Sequence, residues 1–227
     1  MGLKKILMAG GLMAACLGCQ WRGPASFVVQ GQILGANDKM VVLAELPLNQ
    51  RHRLVVDSMR LDSTGRYQFT TLAQPECFYQ VFVQNGPSFL LINDAETIGL
   101  DANADQPEQY TVRGSAASAS LQRYDAGLQA RYAHLQRAQQ RADSVAPQKN
   151  MADSLKLPFV LQRAASADSL QRYLATVIGT EPNGTAQYYM LGYAKTLATK
   201  TTWQTLLQEA LKKHPKHAGL LALTKQP

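Results

Sequence analysis

From Phe27 to Val112 the apolar residues fall in short runs separated by turn formers. Phe27-Val28-Val29 precedes Gly31, Met40 to Leu46 is followed by Pro47, and Phe89 to Ile92 follows the breaker Asn85-Gly86-Pro87. Leu54, Val56 and Met59 alternate in part with Arg53, Asp57 and Arg60, while Tyr67 and Phe69 alternate with polar neighbours. Phe78 to Val83 repeats the pattern, with Phe78, Gln80 and Phe82 on one side and Tyr79, Val81 and Val83 on the other. Asp62-Ser63-Thr64-Gly65 and Asn93-Asp94 read as turns; Thr97 to Leu100 and Tyr110 to Val112 close the series. A period of two in short segments bounded by Gly, Pro, Asn and Asp predicts an antiparallel β-sandwich or barrel-like domain over residues 26–114.

The period changes near residue 115. Leu121, Tyr124, Leu128, Tyr132 and Leu135 step by three and four, which puts them on one face of a helix. Ser118 or Ser120 is placed to cap it, and Pro147 to end it. Pro158 is expected to delay or kink the second helix, which runs through Leu170, Leu174 and Ile178 to about Gly179. After the loop Glu181-Pro182-Asn183-Gly184, Gln187 to Leu197 and Trp203 to Leu211 read as a helical hairpin. His214-Pro215 ends the hairpin, and Gly219 to Leu223 forms a last short turn. The fold class is therefore α+β: a β domain followed by a helical domain over residues 115–223, not alternating βαβ units.

The first residues decide the compartment. Lys4 and Lys5 form a basic start, Ile6 to Ala15 carry no charge, and small residues lead into Cys16 and Cys19. That is the layout of a secretory leader over residues 1–18, with an apolar run too short to span a bilayer. A cysteine at the cleavage point resembles a bacterial lipoprotein signal, in which that cysteine is lipidated. Two frames stay open: Leu12-Met13-Ala14-Ala15-Cys16 fits the lipobox at every position, while Gly18 before Cys19 gives a leader of more ordinary length.

Cys16-Leu17-Gly18-Cys19 also has C-x-x-C spacing, but it lies inside the export signal and one sulfur is expected to carry lipid, so no redox site is assigned there. Cys77, the third of three cysteines, sits in an apolar context and is expected to pack as a small hydrophobe rather than pair with an N-terminal cysteine.

The formal charge of +7 falls to about +5 without Lys4 and Lys5. The excess is dispersed, with Lys195, Lys200, Lys212, Lys213, Lys216 and Lys225 at intervals of a solvated helix face. No basic stripe is interleaved with aromatic residues, which argues against a nucleic-acid partner.

An ordered series of residues resembles a known β domain. It comprises Phe27-x-x-x-Gly31-x-Ile33, Val41-Val42-Leu43, Asp57-Ser58, Asp62-x-x-Gly65-Arg66-Tyr67-x-Phe69, Pro75 with Tyr79, Phe89 to Ile92, and Gly114-Ser115. The stretch from about 26 to 125 is similar to the N-terminal domain of unknown function of thioredoxin-like, disulfide-reductase lipoproteins of the Bacteroidetes envelope. The helical part resembles the spacer that follows it there, including Pro-Asn-x-Thr at Pro182 to Thr185. Fuller members continue into a thioredoxin domain with a Trp-Cys-x-x-Cys site. This chain reaches Pro227 with no cysteine after Cys77, so the redox chemistry transfers to no residue here. The resemblance implies an accessory half whose thioredoxin-like partner is a separate protein or has been lost.

Other candidate chemistry is thin. His214 and His217 sit among Lys212, Lys213 and Lys216, which disfavours a cation and reads as a helix end in solvent. His52 lies between Arg51 and Arg53, and His134 falls on the first helix; neither has an acid or nucleophile arranged nearby in sequence. Asp101, Asp105 and Glu108 lack the ligand order of a calcium loop and read as a solvated turn. No catalytic residue, metal ligand or cofactor is assigned, and no Gly-x-Ser-x-Gly elbow is present.

One dipeptide recurs: Asp57-Ser58, Asp62-Ser63, Asp143-Ser144, Asp153-Ser154 and Asp168-Ser169. With the residue after each, these resemble the O-glycosylation acceptor of exported Bacteroidetes proteins, which makes Ser58, Ser63, Ser144, Ser154 and Ser169 candidate sites. The same dipeptide also suits turns and helix starts, because both side chains bond nearby backbone. Asn183-Gly184-Thr185 is an N-glycosylation sequon that carries little weight in a bacterial envelope.

The sequence thus predicts a cell-envelope protein, anchored by lipid and facing the periplasm. Its expected role is non-catalytic binding or scaffolding, with the small-molecule ligand, if there is one, unspecified. The alternative is the accessory half of a disulfide-reductase system, working with a thioredoxin-like partner.

Overall fold

The computed structural model describes residues 26–225, save 49–51, 73, 75 and 76. The lipidation candidates Cys16 and Cys19, and Pro75, lie outside the described residues. Eight strands come first: β1 (Phe27–Leu34), β2 (Met40–Pro47), β3 (Leu54–Arg60), β4 (Arg66–Thr71), β5 (Cys77–Val83), β6 (Ser88–Ile92), β7 (Thr97–Asn103) and β8 (Thr111–Arg113). Five helices follow: α1 (Ala116–Val145), α2 (Asp153–Thr180), α3 (Gly184–Leu197), α4 (Lys200–Lys213) and α5 (Ala218–Leu223).

The strands form two four-stranded sheets, ordered β4-β1-β7-β8 and β3-β2-β5-β6. Alternation fixes which side of each strand is buried. Phe27, Val29 and Ile33 of β1, Ile98 and Leu100 of β7, and Tyr79 and Val81 of β5 all point into the shared core. Each such large side chain contributes roughly 1.5–3 kcal/mol on burial. One pair departs from the antiparallel rule: β1 and β7 run parallel, with Gln30 opposite Gly99 and Gln32 opposite Asp101. A period of two states which residues face inward and leaves strand direction open, so only the return of the chain from the second sheet decides it.

Glycine is required at the parallel pair. A Cβ on Gly31 would lie 1.8 Å from the Leu100 carbonyl oxygen, so no other residue fits without moving a strand.

The helical part begins where Ser115, rather than Ser118 or Ser120, caps α1 and accepts from Ser118 N–H at 2.9 Å. Ser118 Oγ accepts from Ile92 N–H at 2.8 Å and Ser115 Oγ donates to Ile92 O at 3.1 Å, so both serines tie the helix start to the end of β6. Asp94 adds a carboxylate oxygen on Ala117 N–H at 2.8 Å. Pro158 neither delays nor ends α2, which starts five residues earlier at Asp153. The carbonyl it leaves without an intrahelical donor belongs to Ser154, in an exposed first turn where water serves.

The second sheet turns part of its outer face to the helices. Phe78 packs on Tyr188 and Tyr189, with ring centroids 6.2 and 5.9 Å away, and Ile92 joins the same cluster. Among the described residues, the outer face of the first sheet carries no such cover.

Candidate functional site: the polar face of the first sheet

Register places the outward side chains of the first sheet in rows that cross all four strands. Gln68, Gln30, Gly99 and Arg113 stand opposite one another on β4, β1, β7 and β8. Arg66, Gln32, Asp101 and Thr111 form the next row. Gly99 has no side chain, and Arg113 lies across it, 3.4 Å from where a Cβ would be. The result is a shallow groove of about 760 Å³ with Met59 at its rim.

Asp101 organises this face. Its Oδ1 accepts from Gln32 N–H at 3.0 Å, and its Oδ2 pairs with the Arg113 guanidinium. Both oxygens are engaged, so Asp101 is not free to act as a general base. Beneath it, on the core side, Tyr67 Oη donates to Leu100 O at 2.9 Å. Burial first, and then the negative charge of Asp101, push the Tyr67 hydroxyl far above its ordinary value, with Arg113 opposing. Tyr67 is therefore a neutral donor, not a nucleophile.

The remaining groups are available for binding. Gln32 Nε2 donates to Thr64 O at 2.7 Å, which orients its amide. Gln30 and Gln68 are exposed, and Arg66 is in no ion pair among the described residues, acting on Asp62 only through space. The face presents amides, one carboxylate-bound and one open guanidinium, and no nucleophile with a base. It can recognise a polar ligand.

The residues singled out in the sequence are scattered over the molecule. Cys77 is 2% exposed, donates its thiol to Phe78 O at 3.1 Å, and is pushed up to about 11 chiefly by burial. A thiol so held supplies little thiolate. Ser58 lies on β3, Ser63 in the turn before β4, Ser144 near the end of α1, and Ser154 and Ser169 on α2; all five are exposed. The neighbouring acids already have structural duties: Asp57 accepts from Ser58 N–H at 2.7 Å and Asp62 from Thr64 N–H at 2.8 Å.

Asp101 is on strand β7 rather than in a solvated turn, because Ile98, Leu100 and Ala102 carry the buried alternation past it; Asp105 and Glu108 are exposed beyond the strand. His217 is buried rather than in solvent, because α5 folds back on α3. Its Nδ1 accepts from Leu220 N–H at 3.2 Å to cap α5, and its Nε2 lies 3.2 Å from Thr185 Oγ1. His214 is half-buried, and burial lowers its affinity for a proton. His52 is exposed, and His134 Nδ1 lies 3.0 Å from Ser166 Oγ between α1 and α2. Among the described residues no group of three or more His, Cys, Asp and Glu is placed to hold a metal.

Of the groove residues Gln30, Gln32, Arg66, Gln68 and Arg113, Arg66 alone falls in the ordered series that carries the β-domain resemblance. The others stand on the outward phase of β1, β4 and β8, and which strands lie side by side is a tertiary fact.

Residues 27–121 match a family described as a domain of unknown function (DUF4369), a span covering the whole sandwich and the start of α1. No curated protein and no solved structure matches the chain.

Proposed function

We propose that the chain is a non-catalytic binding module of the bacterial cell envelope, held at the membrane by lipid on Cys16 or Cys19 and facing the periplasm. The polar groove on the outer face of the first sheet is its binding surface. One observation carries this reading: among the described residues the sandwich covers part of one face with helices and leaves the other uncovered, lined by the exposed amides of Gln30 and Gln68 and by Arg66, which is in no ion pair there. The basic leader with its small residues before cysteine supports export and anchoring. Hydrogen exchange tests the binding half: envelope extract should protect amides of β1, β4 and β7. Protection elsewhere with none on these strands refutes it. Incorporated fatty acid should vanish in Cys16→Ala or Cys19→Ala, and label retained in the double variant removes the anchor.

A second reading keeps the accessory half of a disulfide-reductase system. It rests on the resemblance of residues 26–125 and the helical part to domain plus spacer; the family matched over residues 27–121 is one of unknown function. Cys77 is too buried and too weakly acidic to serve alone, so the reducing thiols would have to come from a thioredoxin-fold domain that the described residues do not contain. Insulin reduction by the chain only in the presence of a thioredoxin-fold protein supports this reading; reduction by the chain alone contradicts both.

A further inference from the structure

We infer that the groove on the first sheet takes an acidic glycan, its hydroxyls held by the Gln30 and Gln68 amides and a sugar carboxylate by Arg66; this rests on the binding reading above. The row Gln68, Gln30, Gly99, Arg113 spans three strand spacings, about 14 Å, and the row beginning at Arg66 lies about 7 Å away along the strands. A ligand that meets all of these is longer than a single small metabolite. The groove is also shallow and open, whereas small-molecule sites enclose most of their ligand.

The chemistry of the lining narrows the class. Primary amides offer a donor and an acceptor side by side, which suits adjacent hydroxyls. Asp101 is spent on Gln32 N–H and Arg113, which leaves Arg66 as the one charge of the groove lining not balanced within the groove, with Asp62 of the preceding turn acting on it only through space. A planar guanidinium without a partner binds a carboxylate through two parallel hydrogen bonds.

Other polymers fit less well. A peptide that adds to a sheet would lie beyond β4 or β8, the edge strands, and not along the rows that cross β1 and β7, each flanked on both sides. Peptide side chains would also want apolar pockets, and the outward apolar groups near this face, Val28, Leu34 and Met59, form none, since Gln30 and Gln32 stand between Val28 and Leu34 on β1. Single-stranded nucleic acid would want aromatic platforms and several unpaired cations, and the groove lining offers one unpaired guanidinium and no outward ring. Without stacking, affinity rests on hydrogen bonds and one charge, so a Kd on the order of 0.1–1 mM is expected.

Calorimetric titration of the full chain with a hexameric oligogalacturonate, neutral maltohexaose and hexaglutamate tests this. The oligogalacturonate should bind, with Arg66→Gln weakening it roughly tenfold or more, Arg66→Lys less, and Arg172→Gln on α2 not at all. Gln30→Ala with Gln68→Ala should weaken it similarly; both residues are exposed, so folding is preserved. Equal binding of maltohexaose with no effect of Arg66→Gln overturns the acidic part. Hexaglutamate binding as tightly as the oligogalacturonate overturns the glycan. If none binds but envelope extract still protects β1, β4 and β7, the inference falls and the binding module stands; if extract protects none of them, both fall.

Discussion

The hydroxyl of Tyr67 donates to the carbonyl of Leu100, 2.9 Å away across β1, at the point where Gly31 gives up its side chain. The two residues lie on β4 and β7, strands that do not touch as neighbours in the sheet. Their bond passes beneath β1 and fixes the floor of the groove from the core side. Tyr67→Phe should therefore cost about 1–3 kcal/mol, the penalty for leaving a buried acceptor unmet, with little change in core volume. Denaturant midpoints would measure it, and a loss under about 0.5 kcal/mol would show that this carbonyl finds another donor.

Gly31→Ala should be worse. A methyl 1.8 Å from the Leu100 oxygen forces β1 and β7 apart, and a loss of about 3 kcal/mol or more is expected. Gly192→Ala on α3 is the control: nothing lies within 4 Å of its Cβ, so relief of helix entropy should stabilise by up to about 1 kcal/mol. Thermal melts of the two variants should move in opposite directions.

Asp101→Asn should cost less than about 1 kcal/mol, because the Arg113 pair it removes is exposed at 60% and 38% and water screens it. The amide oxygen of Asn can still accept from Gln32 N–H. Asp101→Ala removes that acceptor as well and should be the more damaging change. The two melting temperatures, compared at low and high salt, separate the ion pair from the backbone bond.

Alkaline pH should destabilise the fold. Burial raises the proton affinity of Tyr67, Tyr79, Tyr124 and Tyr189, pushes Tyr110 up to about 12, and pushes Cys77 up to about 11. In that window the folded chain binds more protons than the unfolded chain, so stability falls as pH rises. The contribution is intact below the ordinary thiol and tyrosine values, about 9 and 10, and is lost progressively as pH rises through the folded values. Unfolding midpoints at pH 7 and 10.5 should differ, with the higher pH less stable; equal midpoints would place these rings in water.

Cys77 should be inert to thiol reagents in the folded protein. In a Cys16→Ser, Cys19→Ser background, the remaining thiol should react at pH 8 only as fast as the chain unfolds, since it is 2% exposed and held protonated. Reaction within seconds in the absence of denaturant would make the thiol accessible and reopen a redox role for it.

By itself the sequence determined the two halves and most of their elements. Alternation over Phe78 to Val83 and three-four stepping from Leu121 to Leu135 are local rules, and both segments adopt the structure those rules require. It also identified the Asp62 to Gly65 turn, where the Asp side chain bonds the next backbone groups and needs nothing distant. Tertiary structure decided what depends on neighbours far along the chain. Asp101 lies 69 residues from Gln32, which it binds through the backbone, and the parallel pairing that brings them together leaves no trace in either segment's period. His217 reads as a solvated residue among lysines until α5 folds against α3 and buries it beside Thr185, 32 residues away. The groove is the same case. Its polar side chains are ordinary outward residues on separate strands, and strand order alone turns them into one surface.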